Sequence, residues 1–517
     1  MNQINVPPSY PADGSQDFFC GGHTFLKDGS LLWVGGTDVK GKCTTSINPN
    51  CPFGFVGHRY AWRLLTDSIN PTWVAASGPL GQGMGKDRWY GTATALHTGG
   101  GVVHGHTAGP GTPSSPDYAD RWRDVFDFAA GTWATLTDLE HNLSFEPGCP
   151  ASTDPVRLFD YPRLHLVSSG ELFWPLAMLE DAPDTYSVLR SRFMDLLDLA
   201  CSTRWRGGDL ASAAPAALHI NGSSVHIIGW RPGLGEGTFF EAVYIIGGAA
   251  KPIEAVQPDC VNLSGAGVNG VVERMRSPTT VSGVWTSVAS LFYPRVNHNA
   301  VILLDGSILV VGGADWLSIW PGGQCGWRRK PELFKPQEVE DSDTITPVWV
   351  EMAEQAVVRQ YHSAAGLMTD GRVYSVGGKN LPSGLPGYDL PDHSIEIFSP
   401  PYLFIPGPRP TIDTTTIKDP ANDSYAYGDE VEFEVVAAVP IQRIALIRNG
   451  SSTHAFDPDQ RYVELKKLLE VDLGGGKFQL RCRAPETDRQ APPGYYLLTV
   501  VDAQGRPSPA EWVRVGS

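Results

Sequence analysis

The chain has 517 residues, enough for two or three domains with substantial cores, and a formal charge of −16. That acidity excludes a nucleic-acid partner, because phosphate binding needs a basic face. No apolar run reaches the length of about 18 residues that a membrane-spanning helix requires. Glycine (57), proline (42) and tryptophan (15) are abundant, and only 19% of residues are charged. Charge-rich amphipathic helices are therefore scarce, and the composition fits an all-β chain of many short strands.

From Met1 to Gln16 the chain is polar and proline-bearing, without the apolar core of a signal peptide. Five Asn-x-Ser sequons, at Asn142, Asn221, Asn262, Asn422 and Asn449, fit secretion. The expectation is an extracellular protein whose leader is absent from this chain, with a cytoplasmic location as the alternative. None of the eight cysteines forms a CxxC pair, which removes a zinc ribbon. Cys43 and Cys51 flank a short loop, where a disulfide and two separate thiols are both open readings.

One pattern then recurs along the chain. A polar or aromatic lead is followed by an apolar strand, a glycine turn, a second apolar strand and often Gly-Gly. It runs from His23 to Gly36, from Tyr90 to Gly105, from His165 to Trp174, in degenerate form from His219 to Gly229, from His298 to Gly313 and from His362 to Gly378. Asp-Gly between alternating apolar runs predicts hairpins. Strands closing on Trp73, Trp133, Trp205, Trp285 and Trp349 mark intervals of 60 to 80 residues. About four strands per unit at such a period predict a β-propeller, kelch-like but with longer loops. Six units are visible, and seven blades are expected, the last shared between N- and C-terminal strands, with Ser394 to Phe404 as the closing strand. The expected division is residues 1–405 as the seven-bladed propeller and 406–517 as an immunoglobulin-like β-sandwich. Short alternating strands after the proline-rich boundary near Pro400 support the second part.

Four short motifs carry candidate chemistry: Cys20 after Asp17-Phe18-Phe19, Tyr90 after Arg88-Trp89, the pair Tyr361-His362 after Arg359, and His454 after Thr453. Singly each has a bland reading: a small buried thiol, a rim aromatic, a repeat histidine like His23 or His298, a loop histidine. Two imidazoles and two phenols together suit a tetragonal Cu(II) site. Adjacent strand residues face opposite sides, so Tyr361 and His362 can serve one metal only where the strand frays into a loop or bulge.

Together these motifs resemble the galactose oxidase and glyoxal oxidase family of copper-radical oxidases. The resemblance extends over the repeats, Phe19-Cys20-Gly21-Gly22, Arg88 to Ala93, Arg359 to Ala364, and Thr453-His454 followed by Asp457, Pro458, Asp459, Gln460 and Arg461. It implies one copper ion held by Tyr90, Tyr361, His362 and His454. It implies a Cys20–Tyr90 thioether that carries a tyrosyl radical, with Tyr361 as the base. The sandwich must then push the His454 loop into the propeller channel. The implied activity is oxidation of small aldehydes or primary alcohols by O2 to give hydrogen peroxide, by a monomer. The short form, without an N-terminal carbohydrate-binding module, is more similar to the glyoxal oxidase branch. No tryptophan follows Tyr90 at the interval of the family's stacking residue, which leaves His106, Tyr118, Trp122 and Trp174 as candidates. The rival readings are a non-catalytic kelch propeller binding carbohydrate or protein, and a hydrolase using Asp160 and Glu146.

Overall fold

The computed structural model describes residues 16–38, 56–66, 71–76, 83–104, 122–137, 162–195, 205–206, 219–231, 238–249, 267–276, 285–315, 328–336, 348–378 and 394–516, apart from 19, 86, 89, 176–177, 183–184, 189–190, 220 and 455. The chain divides into two compact units, residues 1–211 with 492–494, and 212–491 with 495–517. Both are built mainly from antiparallel strands. Pro401–Phe404 form a 3-10 turn, and among the described residues no helix is long and apolar enough to cross a membrane.

The first unit contains three four-stranded meanders. One is Gly22–Phe25, Leu31–Val34, Ala61–Leu65 and Thr72–Ala75. The next is Thr92–Ala95, Gly101–His104, Trp122–Asp127 and Thr132–Thr137. The third is His165–Leu166, Glu171–Trp174, Arg192–Asp195 and Trp205–Arg206. Their first strands lie side by side, Thr92–Ala95 between the other two. Stacking of inner strand on inner strand is the packing of a propeller, since no single sheet can cover both its own faces. The cores between sheets are apolar, with Leu32, Val34, Ala93, Val103 and Phe126 fully buried. Each buried Val or Leu contributes about 1.5–3 kcal/mol.

The second unit repeats the arrangement. Ser223–Arg231, Thr238–Gly248, Asn269–Arg276 and Trp285–Ser287 form one meander. Val296–Ile302, Ile308–Ala314, Glu332–Phe334 and Val350–Glu351 form the next. Ser363–Leu367, Val373–Gly377 and Ile395–Phe398 form a three-stranded sheet. Again the first strands are neighbours, Val296–Ile302 in the middle. The predicted tryptophans fall where the repeat places them. Trp73, Trp133, Trp205 and Trp285 lie on the fourth strand of their sheets, and Trp349 immediately precedes one.

The Asp-Gly hairpins are also present. Asp28, Asp305 and Asp370 each accept, through Oδ1, the N–H two residues on, at 3.0, 3.0 and 2.9 Å. The glycine that follows each is left-handed, at φ 81, 80 and 93°.

After Pro400 the chain builds a two-sheet domain from Glu430–Val436, Ile441–Arg448, Arg461–Gly474, Lys477–Arg483, Gly494–Asp502 and Glu511–Val515. The long strand Arg461–Gly474 serves two neighbours. Its start pairs with Ile441–Arg448 and its end with Lys477–Arg483, with a bulge between Lys467 and Leu469 that turns the corner. It also runs parallel to Ser223–Arg231, His226 beside Arg461 and Ile228 beside Val463. The C-terminal strands are thus hydrogen-bonded into a propeller-type sheet.

Candidate active site

The Gly-Gly pairs show how the motifs are placed. Gly36, Gly248 and Gly313 donate their N–H groups to the carbonyls of Arg88, Arg295 and Arg359, at 3.0, 2.9 and 2.6 Å. The glycine before each is left-handed, and a Cβ at Gly35 or Gly312 would stand 2.5 or 2.3 Å from that arginine carbonyl. The end of the second strand of one sheet therefore grips the lead of the next, two residues before Tyr90, Asn297 or Tyr361.

Each arginine is fully buried and reaches back to the third strand of its own sheet. Arg88 pairs with Asp124 at 2.8 Å, Arg295 pairs with Glu332, and Arg359 donates to the Ser394 carbonyl at 2.9 Å beside Glu396. The motifs contain Arg88 and Arg359, and their role is visible only in the fold. Their equal spacing before the two tyrosines, shared with Arg295, was the signal.

In the first unit this frame sets Cys20 against Tyr90. The two pack together as a small cluster, each 6% exposed. Tyr90 donates its backbone N–H to the Cys20 carbonyl at 2.9 Å. Glycines allow the approach: a Cβ at Gly22 would lie 2.4 Å from the Gly91 carbonyl, and one at Gly21 would strike Trp33. Phe18 stacks on Trp73 and tilts on Trp33, at 4.9 and 5.1 Å between centroids.

In the second unit Tyr361, His362 and His454 come together. Centroid separations are 3.7 Å for Tyr361–His362, 4.6 Å for His362–His454 and 5.2 Å for Tyr361–His454. The strand begins only at Ser363, and His362 before it is left-handed at φ 64°. That break turns both rings to one side, as the shared-metal reading required. His454 sits in a tight turn closed by Thr453 and Phe456, whose backbones exchange hydrogen bonds of 2.8 and 2.9 Å. Its φ is 47°, and the Thr453 hydroxyl meets its Nδ1 at 2.8 Å.

The remaining motif residues hold this turn. Asp457 Oδ1 accepts the N–H groups of Ser451, Asp459 and Gln460, at 3.0, 3.1 and 3.0 Å. Burial, with Asp459 nearby, pushes the Asp457 carboxyl up to about 7. Gly450 has no room for a side chain, since its Cβ would overlap the Asp457 carboxylate. Gln460 accepts the Ile302 N–H and donates to the Ala300 carbonyl at 2.9 Å, which docks the loop on strand Val296–Ile302.

Among the described residues, six non-glycine residues have positive φ: Cys20, Tyr90, Asn221, Asn297, His362 and His454. Such conformations are costly and concentrate at functional sites. Four of the six are candidate site residues. His23, by contrast, lies within a regular strand, and burial pushes its imidazole down to about 4.

Of the stacking candidates, Trp174 is 2% exposed and packs in a core with Leu96, Val102 and Leu166. His106 and Tyr118 lie outside the described residues, as do the side chain of Trp122, the Cys43–Cys51 loop, and Asp160 and Glu146.

Fold and clusters define an all-β, propeller-like protein with an appended two-sheet C-terminal domain. Residues 409–515 match the family model "Galactose oxidase-like, Early set domain". The aldehyde oxidase GLOX of Vitis pseudoreticulata is 25% identical over 99% of this chain and 84% of its own length. The galactose oxidase of Gibberella zeae is 28% identical over 49% of this chain and 34% of its own. A solved fungal alcohol oxidase of the AA5 family, in complex with copper, superposes with a TM-score of 0.64 at 21% identity, covering 97% of this chain and 86% of that one. That likeness shows the fold. The chain is thus similar over 99% of its length to an aldehyde oxidase GLOX and over 49% of it to galactose oxidase.

Proposed function

We infer that this protein is a copper-radical oxidase of the glyoxal oxidase type, acting on small aldehydes or primary alcohols with O2. The observation that carries the reading is the meeting of Tyr361, His362 and His454 from segments far apart in sequence, with ring centroids 3.7 to 5.2 Å apart. A phenol and two imidazoles at that spacing fit one copper ion, and Tyr90 would complete the set. With Nδ1 of His454 engaged by Thr453, Nε2 is the nitrogen that would be left to hold copper. The names of the relatives, aldehyde oxidase and galactose oxidase, support the same reading.

Copper, when bound, would accept one electron and acidify a substrate hydroxyl. The chain supplies the rest. Cys20 and Tyr90 would join through a thioether, and the sulfur-substituted phenol is easier to oxidise than a plain one. Tyr90 is thereby the second one-electron carrier that a two-electron oxidation needs. Tyr361 takes the proton from the substrate hydroxyl, and the Tyr90 radical takes hydrogen from the adjacent carbon. In sum an alcohol gives two electrons and two protons to O2, yielding aldehyde and hydrogen peroxide. An aldehyde reacts through its hydrate and yields the acid.

The proposal includes seven kelch-type blades within residues 1–405, a sandwich from 406 to 517, a monomer and an extracellular location. The repeat period and the inner-strand packing support the blades. The test is peroxide release by copper-loaded protein across a panel of aldehydes, alcohols and sugars. Copper-dependent peroxide from small aldehydes or primary alcohols is expected. Tight sugar binding without peroxide would favour the non-catalytic propeller.

A further inference from the structure

We propose that Asn299 is a positioning residue that sets the spacing of the two candidate imidazole ligands. It does so by bridging the loop of His454 to the strand that follows His362. The inference rests on the copper reading above and adds to it a residue outside the four motifs.

Asn299 lies on strand Val296–Ile302 and is 3% exposed. Its Oδ1 accepts a hydrogen bond from Ser452 Oγ at 3.0 Å, and its Nδ2 donates to Ser363 Oγ at 3.1 Å. Ser452 stands two residues before His454, and Ser363 directly follows His362. One planar amide thus ties the serine hydroxyls on both sides of the site at a fixed separation. An amide suits the task because it presents an acceptor and donors in one rigid plane. Leucine of similar size would hold neither hydroxyl.

The geometry also separates two anchors of the same loop. Gln460 fixes the far end to Ala300 and Ile302, while Asn299 holds the end next to the ligand. Loss of the Gln460 anchor would loosen the loop as a whole. Loss of the Asn299 bridge would leave the loop docked and change the relation of His454 to His362. Residues that orient metal ligands in this way commonly tune affinity by about 10- to 100-fold.

The test is titration of the full-length apo-protein with Cu(II), followed by electron paramagnetic resonance of the copper-bound form. Four proteins are compared: wild type, Asn299→Leu, Ser452→Ala and His454→Ala. Asn299→Leu is expected to lower copper affinity about 10- to 100-fold and to shift the copper hyperfine coupling. Ser452→Ala removes one hydroxyl and leaves the strand untouched, so it keeps the test decisive if Asn299→Leu fails to fold. It is expected to shift the hyperfine coupling in the same direction by a smaller amount. Wild-type affinity and spectrum in Ser452→Ala and in any folded Asn299→Leu, beside lost affinity in His454→Ala, overturn this inference alone. Wild-type copper binding in His454→Ala overturns the copper reading and the inference with it.

Discussion

At the scale of single residues, the backbone carries the clearest mark of function. Cys20, Tyr90, His362 and His454 are held left-handed, a state that glycine would adopt without cost. Side-chain chemistry therefore explains why glycine is absent there. For Cys20 and Tyr90 the expected outcome is covalent: intact protein exposed to copper and air loses two hydrogen atoms by mass spectrometry, and Cys20→Ser does not. An unchanged wild-type mass would remove the thioether. Asp457 offers a thermodynamic check. Its carboxyl is raised from 3.8 to about 7 by burial, so the folded state holds that proton to higher pH than the unfolded state. The stability this confers is complete below about pH 4 and is lost as pH rises towards 7, at about 1.4 kcal/mol per unit. Asn at this position keeps the Oδ1 that accepts three N–H groups. Denaturant titrations should show Asp457→Asn gaining on wild type between pH 4 and 7, with a constant difference above.

At the scale of elements, two devices recur. The left-handed Gly-Gly grips the next arginine carbonyl, and the buried arginine ties that lead to its own third strand. Gly312→Ala places a Cβ 2.3 Å from the Arg359 carbonyl at φ 70°. Strain of this kind costs about 1–3 kcal/mol before the clash is added. Gly131 has a similar φ of 64° with nothing within 4 Å, so Gly131→Ala isolates the strain alone. Urea unfolding should find Gly312→Ala the less stable of the two, and equal losses would discount the carbonyl contact. The arginine is tested by Arg88→Leu, which strands Asp124 in a site where both side chains are 0% exposed. Removing one partner of such a pair costs about 3–5 kcal/mol, measurable in the same denaturant series.

At the scale of the molecule, two of the joins between the C-terminal domain and propeller-type sheets bear on the site. The parallel pairing of His226 with Arg461 is one join, and the loop that carries His454 to Tyr361 and His362 is the other. Copper held at the second join, as proposed, would bind the folded state selectively. At a hundredfold excess over its dissociation constant it should stabilise the protein by about 2.7 kcal/mol. Calorimetry should show a copper-dependent rise in Tm for wild type, reversed by chelation and absent in His454→Ala.

By itself the sequence determined the local and the periodic. Asp-Gly turns, strand alternation and outer-strand tryptophans depend on residues close together in the chain, and they are legible without coordinates. Tyr361-His362 was legible as a candidate because the pair lies in one motif. Tertiary structure alone decided what depends on residues far apart: the break in the strand that brings those two rings to one side, the arginine carbonyls that fill the Gly-Gly grips, and the Ser452–Asn299–Ser363 bridge. Each is a contact between segments whose separation along the chain bears no relation to their distance in space. Local propensity fixes which strands form; only their packing fixes which side chains meet.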